Sequence, residues 1–236
     1  MANTSAVPVC TLAVAALQSP VLAQKFAIVG TYADNRPFVR HSALLRTEDT
    51  IGEERAVTVH HMGPPIGESN QCQCHVIGQV GLTNEEIEAI EDWIASVATQ
   101  YCEFKVLPFK QYVIVPHMDW VISEEGRPQR QRFSCVGYVI EAYRSAEVDL
   151  LNLASLPDAH QSDAAEAYPL LIRIATKPEL AKKYGVTSIG DLGLYGDGPW
   201  KIPLPGYLFH STARYRNNSP RPLPFVPTSV EQARYP

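Results

Sequence analysis

The chain has 236 residues, 45 % of them hydrophobic and 19 % charged, with a formal net charge of −5. A chain of this length buries enough surface to fold without a disulfide or metal staple, and an acidic balance with no basic stripe argues against nucleic acid or an anionic membrane as partner. Cys10, Cys72, Cys74, Cys102 and Cys135 form an odd set that does not read as a disulfide framework, which points to a reducing, cytoplasmic setting.

Residues 1–24 read as an N-terminal extension. "VPVCTLAVAAL" has the length and apolarity of a signal peptide, so a secreted protein is the alternative. Against it, no Lys or Arg precedes Lys25 and "QSP" interrupts the segment. The run is too short to cross a bilayer, so no membrane anchor is expected. "KFAIVGTY" (25–32), "FVRHSALL" (38–45) and "RAVTVHHM" (55–62) read as three strands. "DNRP" is the first turn, "RTEDTIGEE" a polar hairpin loop, and "GPP" closes the third strand. Thr83 and Glu86 have capping-box spacing. Ile87, Ile90, Ile94, Val97 and Ala98 then follow helical periodicity through "LTNEEIEAIEDWIASVATQY".

"EFKVLPF" and "QYVIVPHMDWVIS" read as extended segments, joined by polar "EEGRPQRQR" to a helix that starts at Cys135 and runs to about Leu151. Val136, Val139, Ile140, Tyr143 and Leu150 mark its buried stripe. "DAAEAYPLLIRIA" and "PELAKKYG" predict short helices. From Pro199 onward eight of 38 residues are proline, so this tail is expected to wrap the surface rather than join a central sheet. The chain thus divides into a core over 25–156 and a C-terminal extension over 157–236. The fold class is α+β, a small antiparallel sheet packed against the helix that carries Cys135.

The placement of Cys135 carries the chemistry. Ser134 is a suitable N-cap. It sets Cys135 at the first helical position, where free N–H groups and the helix dipole favour a thiolate and an oxyanion. Gly137 leaves room beside the sulfur. A cysteine nucleophile needs a base, and the base an orienting partner. Strand alternation puts His41 with Val39, Ala43 and Leu45, and puts His61 with Val57 and Val59. His60 falls on the other face, with Ala56 and Thr58, so one of the adjacent histidines should face solvent. A helix packed on the His41 face would complete a Cys135–His41–His61 site, with the thiolate paired to an imidazolium. His60, or the pair His117 and Asp119 in "VPHMDW", are the competing orienters.

"HSALL", then "HMGPP" on the next strand, then "SCVGYVIEAYR" resembles the permuted papain-like (circularly permuted NlpC-type) cysteine hydrolases, with the lecithin:retinol acyltransferase-like group closest in wording. The resemblance covers roughly residues 25 to 150. It implies a permuted papain-like fold, with Cys135 as nucleophile, His41 as general base and His61 as orienter. It also implies thiol-dependent hydrolysis of an amide or ester (an amidase or thiol protease), or acyl transfer, through an acyl-cysteine. Ser134 stands where the acyltransferase group has asparagine, the hairpin between the histidines is long, and the last 85 residues match no pattern of that family.

Other motifs carry less. "CQCH" (72–75) lacks a second half-site for zinc. "GLYGDGPW" (193–200) has no Lys-Ser/Thr and reads as a turn. No Gly-x-Ser-x-Gly occurs. No cofactor or metal is therefore expected, and the partner is an amide- or ester-bearing peptide or small molecule. Two other classes stay open: a scaffold with an unreactive Cys135, and a redox thiol protein pairing Cys135 with Cys102.

Overall fold

The structure, a computed structural model, describes residues 25–32, 39–47, 57–63, 66–69, 76–103 and 108–216, with 221, 224 and 226. The apolar N-terminal run, most of the hairpin loop after β2, "CQCH" and most of the tail beyond 216 lie outside the described residues, as does the side chain of Cys102.

Five antiparallel strands form one sheet in the order β4-β3-β2-β1-β5, with β1 Phe26–Tyr32, β2 Val39–Thr47, β3 Val57–Met62, β4 Ile66–Ser69 and β5 Val76–Gly78. A hairpin of β6 (Met118–Ile122) and β7 (Pro128–Phe133) and a short ladder of β8 (Asp158–Ala159) with β9 (Trp200–Lys201) stand apart from it. Six α-helices occur among the described residues: α1 Asn84–Glu103, α2 Cys135–Ser145, α3 Gln161–Ala167, α4 Pro169–Thr176, α5 Pro178–Tyr184 and α6 Pro205–Arg216. The fold is α+β with a small antiparallel sheet, as the sequence pattern predicts.

The apolar runs "FAIV" and "ALL" are buried on both faces of the sheet. Phe26, Ile28, Leu44 and Met62 join the main core with α1 and α2, while Ala27, Val29, Ala43, Leu45, Val57 and Val59 form a second cluster on the other face. A continuous apolar run is what a strand covered on both sides requires. The capping box of α1 is formed: Thr83 N–H donates to Glu86 Oε2 at 2.7 Å, and Glu86 N–H to Thr83 Oγ1 at 3.3 Å. Ile90, Ile94 and Val97 are the buried stripe.

"EEGRPQRQR", expected as a polar connection, instead contains most of β7, which pairs with β6. Three further expectations need correction. First, α2 ends at Ser145, not near Leu151. Glu147 adopts a left-handed φ of 57°, Val148 N–H donates to Tyr143 O, and Glu147 N–H to Arg144 O. This helix-stopping motif usually carries glycine at that position, so a glutamate hid it. Second, "DAAEAYPLLIRIA" is two helices, because Pro169 begins α4 and Tyr168 between them leaves helical geometry at φ −128°. Third, the segment after Pro199 is not a surface wrap as far as residue 216. Trp200 and Lys201 pair with β8, and α6 buries Tyr207 and Leu208. Gly30 and Gly78 admit α6 against the sheet. A Cβ at Gly30 would lie 2.7 Å from Phe209, and one at Gly78 2.3 Å from Thr212 Oγ1. The prolines fall between the elements and at the first residue of α6, so they do not disrupt it.

The start of α2 is clamped. Ser134 Oγ accepts Gly137 N–H at 2.8 Å, and Ser134 N–H donates to His117 O at 3.0 Å. Gly137 is bare for that carbonyl, since a Cβ there would lie 1.8 Å from His117 O. The room attributed to the sulfur belongs to the β6 side instead. Gly137→Ala should therefore destabilise the fold by roughly 2–3 kcal/mol in urea unfolding, because overpacking outweighs the helix-propensity gain of about 1 kcal/mol. A stabilised variant would show that α2 is not seated by this contact.

Candidate functional site

The histidine arrangement begins with a β-bulge. Thr31 pairs with His41 and Tyr32 with Val39, so Arg40 is an extra residue in β2. A bulge bends a strand and re-aims the side chains beside it. Its effect is visible at Val39, whose Cγ1 lies 2.8 Å from where a Cβ on Gly30 would sit, on the face covered by α6. Val39 therefore does not share the phase of His41, Ala43 and Leu45, contrary to simple alternation. Downstream of the bulge the predicted parity holds. His41 and His61 lie side by side, their ring centroids 5.7 Å apart and the rings edge to face at 85°.

Gly63 completes this pair. A Cβ there would lie 2.9 Å from His61 Nδ1 and 3.8 Å from His41 Cε1, so "HMG" ends β3 with the residue the two rings leave room for. No hydrogen bond joins the rings, and His61 Nδ1 is buried without a hydrogen-bond partner. The rings meet by packing.

His60 points to the opposite face but not to solvent. It is 3 % exposed, with Nδ1 3.3 Å from Glu68 Oε1. The expectation of a solvent-facing histidine fails because both faces of the sheet are covered. His117 and Asp119 are engaged away from the thiol: His117 Nε2 lies 2.7 Å from Glu141 Oε1, and Arg132 donates to Asp119 Oδ2 at 2.7 Å.

α2 does not pack on the His41 face, as expected from sequence, but on the opposite one. Cys135 and Val136 belong to the core cluster of Leu44 and Met62, and Ser42 N–H is directed at the Cys135 sulfur. The site is assembled at the end of the sheet instead. There a cavity of about 540 Å³ is lined by Cys135 and Met62 together with Thr31, Arg40 and His41. Tyr112 and the segment Ala167–Leu171, which spans the α3–α4 break, also line it.

Cys135 is 1 % exposed. Burial pushes its thiol above the usual range, although Ser42 N–H and the Tyr112 hydroxyl pull the other way. The expected low-pKa thiolate is thus not the resting state, because loss of solvent outweighs the helix start. His41 is driven down to about 4, first by burial and then by the Arg40 charge, and His61 is lowered by burial and by His41. The resting pair is a neutral thiol and a neutral imidazole, not an ion pair.

Tyr112 is the residue that sequence reasoning missed. Its hydroxyl accepts Cys135 N–H at 3.2 Å, and burial holds it protonated well above the ordinary phenol range. Nothing in "QYVIVPHMDW" separates it from the other ten tyrosines. Tyr168 stands behind it, ring centroids 6.4 Å apart, donating to Pro203 O at 3.2 Å. Among the described residues no group of three or more His, Cys, Asp or Glu is placed to hold a metal ion, and no helix is long and apolar enough to cross a membrane.

The buried neutral histidine makes a pH prediction. The unfolded chain binds His41's proton near pH 6.5 and the folded chain only near 4, so stability is full above about 6.5 and falls as pH drops toward 4. Between pH 7 and 5 this amounts to about 2 kcal/mol for His41. The lowered carboxyls of Glu86 and Glu91 act only below about 4.5. Urea unfolding at pH 7 and 5 should show His41→Gln losing less stability than wild type over that interval; equal losses would contradict a buried neutral His41.

A scan against protein-family models, a search of curated proteins and a search of solved structures each return no significant match.

Proposed function

We propose that the protein is a thiol-dependent amide or ester hydrolase that works through an acyl-cysteine, on a permuted papain-like core. The observation that carries this reading is the shared cavity. Cys135, at a capped helix start, and His41, packed against His61, line the same space. The two histidine strands precede the cysteine helix in sequence, as in the family whose motifs the chain resembles.

In this reading the Cys135 sulfur attacks the substrate carbonyl while its proton passes to His41, which is neutral and able to accept it. The carbonyl π electrons move to oxygen. The oxyanion enters between Cys135 N–H and the Tyr112 hydroxyl, and both then donate to it. Collapse breaks the bond to the amine or alcohol, which leaves with the proton from His41. Water, activated by the same imidazole, then cleaves the acyl-cysteine; in an acyltransferase a second amine or alcohol would take its place. His61 holds the base ring in orientation. One observation favours a second reading, a binding protein with a silent thiol: Cys135 is almost fully buried.

Two measurements test the proposal. Iodoacetamide labelling followed by peptide mass mapping should modify Cys135, at the slow rate of a neutral, enclosed thiol. Incubation with a p-nitrophenyl ester series should add one acyl mass to the wild-type chain and none to Cys135→Ala. Acylation should fall about 100-fold or more in folded His41→Ala and in Tyr112→Phe, fall clearly in His61→Ala, and change little in His60→Ala. A labelled but never acylated Cys135 would support the binding-protein reading, and equal effects of His60 and His61 would remove His61 from the site.

A further inference from the structure

Part of the cavity lining comes from the C-terminal extension, outside the segment that resembles a known family. Ala167, Tyr168, Pro169, Leu170 and Leu171 line it in unbroken succession, and all five are apolar or aromatic. Residues of a regular helix share a face only three or four apart. Here neighbours share the cavity because the chain leaves helical geometry at Tyr168, with φ −128° and ψ 52°, and Pro169 then starts α4.

Tyr168 fixes this segment relative to the nucleophile. Its hydroxyl donates to Pro203 O at 3.2 Å, and its ring meets that of Tyr112, centroids 6.4 Å apart. Tyr112 in turn accepts the Cys135 N–H at 3.2 Å. The apolar lining therefore begins beside the N–H that receives the carbonyl oxygen in the proposed reaction. Tyr168 and Leu171 are buried, whereas Leu170 is 63 % exposed. An exposed leucine by itself means little. This one lines the cavity next to buried apolar neighbours, so its uncovered surface belongs to the pocket.

We propose that the cavity selects a small acyl compound whose acyl part carries an apolar group, of which a phenyl ring is the type, and that Leu170 is a specificity-determining residue for it. The inference rests on reading Cys135 as an acyl-accepting nucleophile and names the substrate class of that site. The volume of about 540 Å³ suits a compound of modest size, and a mostly apolar lining with a few placed polar groups is the usual make-up of a small-molecule site. An apolar acyl group that covers Leu170 removes the surface of both from water. The Tyr112 and Tyr168 rings add aromatic contacts to a phenyl group.

p-Nitrophenyl acetate and p-nitrophenyl phenylacetate test this on the full chain, because they share a leaving group and differ only in the acyl part. Each transfers its acyl group to sulfur and releases p-nitrophenol, which carries off the thiol proton. Acylation of Cys135 is followed by peptide mass mapping. The phenylacetate-to-acetate rate ratio is divided by the same ratio for free N-acetylcysteine, which removes intrinsic reactivity. The corrected ratio should reach about tenfold in wild type, fall about fivefold in Leu170→Ser and be largely retained in Leu170→Met. Ile122→Ser removes another exposed apolar side chain, one that does not line the cavity, and should leave the ratio unchanged.

A corrected ratio near one overturns the inference while Cys135 stands as nucleophile. So does a ratio that Leu170→Ser leaves unchanged, or that Ile122→Ser lowers as much. Failure of both esters to acylate Cys135 overturns the hydrolase reading and this inference with it.

Discussion

The seating of one helix start decides the rest of this molecule. Ser134 caps α2, gives its own N–H to His117 O, and places Gly137 against the same carbonyl with no space for a side chain. That contact fixes the first turn of α2 to the β6 segment, and it fixes Cys135 with it. The second anchor is Tyr112, whose hydroxyl takes the Cys135 N–H. His117 also holds Glu141 one turn and a half along the helix, and Arg144 donates to the same carboxylate at 2.6 Å. The cysteine is thus held from its backbone on both sides, so its sulfur has a defined direction before any ligand arrives.

Burial is the second constraint, and it sets the protonation states. A thiol at a helix start and an imidazole near it suggest a charged pair when considered alone. Both groups are enclosed, and an enclosed site penalises each charged form. The thiol moves up and both imidazoles move down. Local hydrogen bonds from Ser42 and Tyr112 reduce the effect on the sulfur without reversing it. In the proposed reaction a neutral pair would require proton transfer to accompany attack. The Arg40 charge adds to burial in keeping His41 neutral.

Much of this was legible in the sequence, and for local reasons. The strands over 26–32, 39–47 and 57–62, and the capped helix α1, follow from periodicity and short-range chemistry. So does Ser134 as N-cap of α2, because capping involves residues only three apart. Pleat alternation also placed His41 and His61 together and His60 opposite, since β2 and β3 pair without a bulge between Leu44↔His60 and Thr47↔Val57. The end of α2 was hidden because a glutamate takes the left-handed position that glycine usually marks. α6 was hidden because prolines between elements look, in one dimension, like the prolines of a surface-wrapping tail.

By itself, then, the sequence determined the α+β class, the antiparallel histidine strands and the capped cysteine, all of which depend on residues close in the chain. Tertiary structure alone decided which face α2 would cover, because that depends on how the helix docks and not on alternation within a strand. It decided that the bulge at Arg40 would bring His41 to a cavity at the sheet's end although the helix lies on the other face. It also decided that Tyr112, 23 residues before Cys135, would reach the cysteine's backbone. Bulges, docking faces and desolvation arise from contacts between distant segments, and none of them leaves a mark in the local pattern of residues.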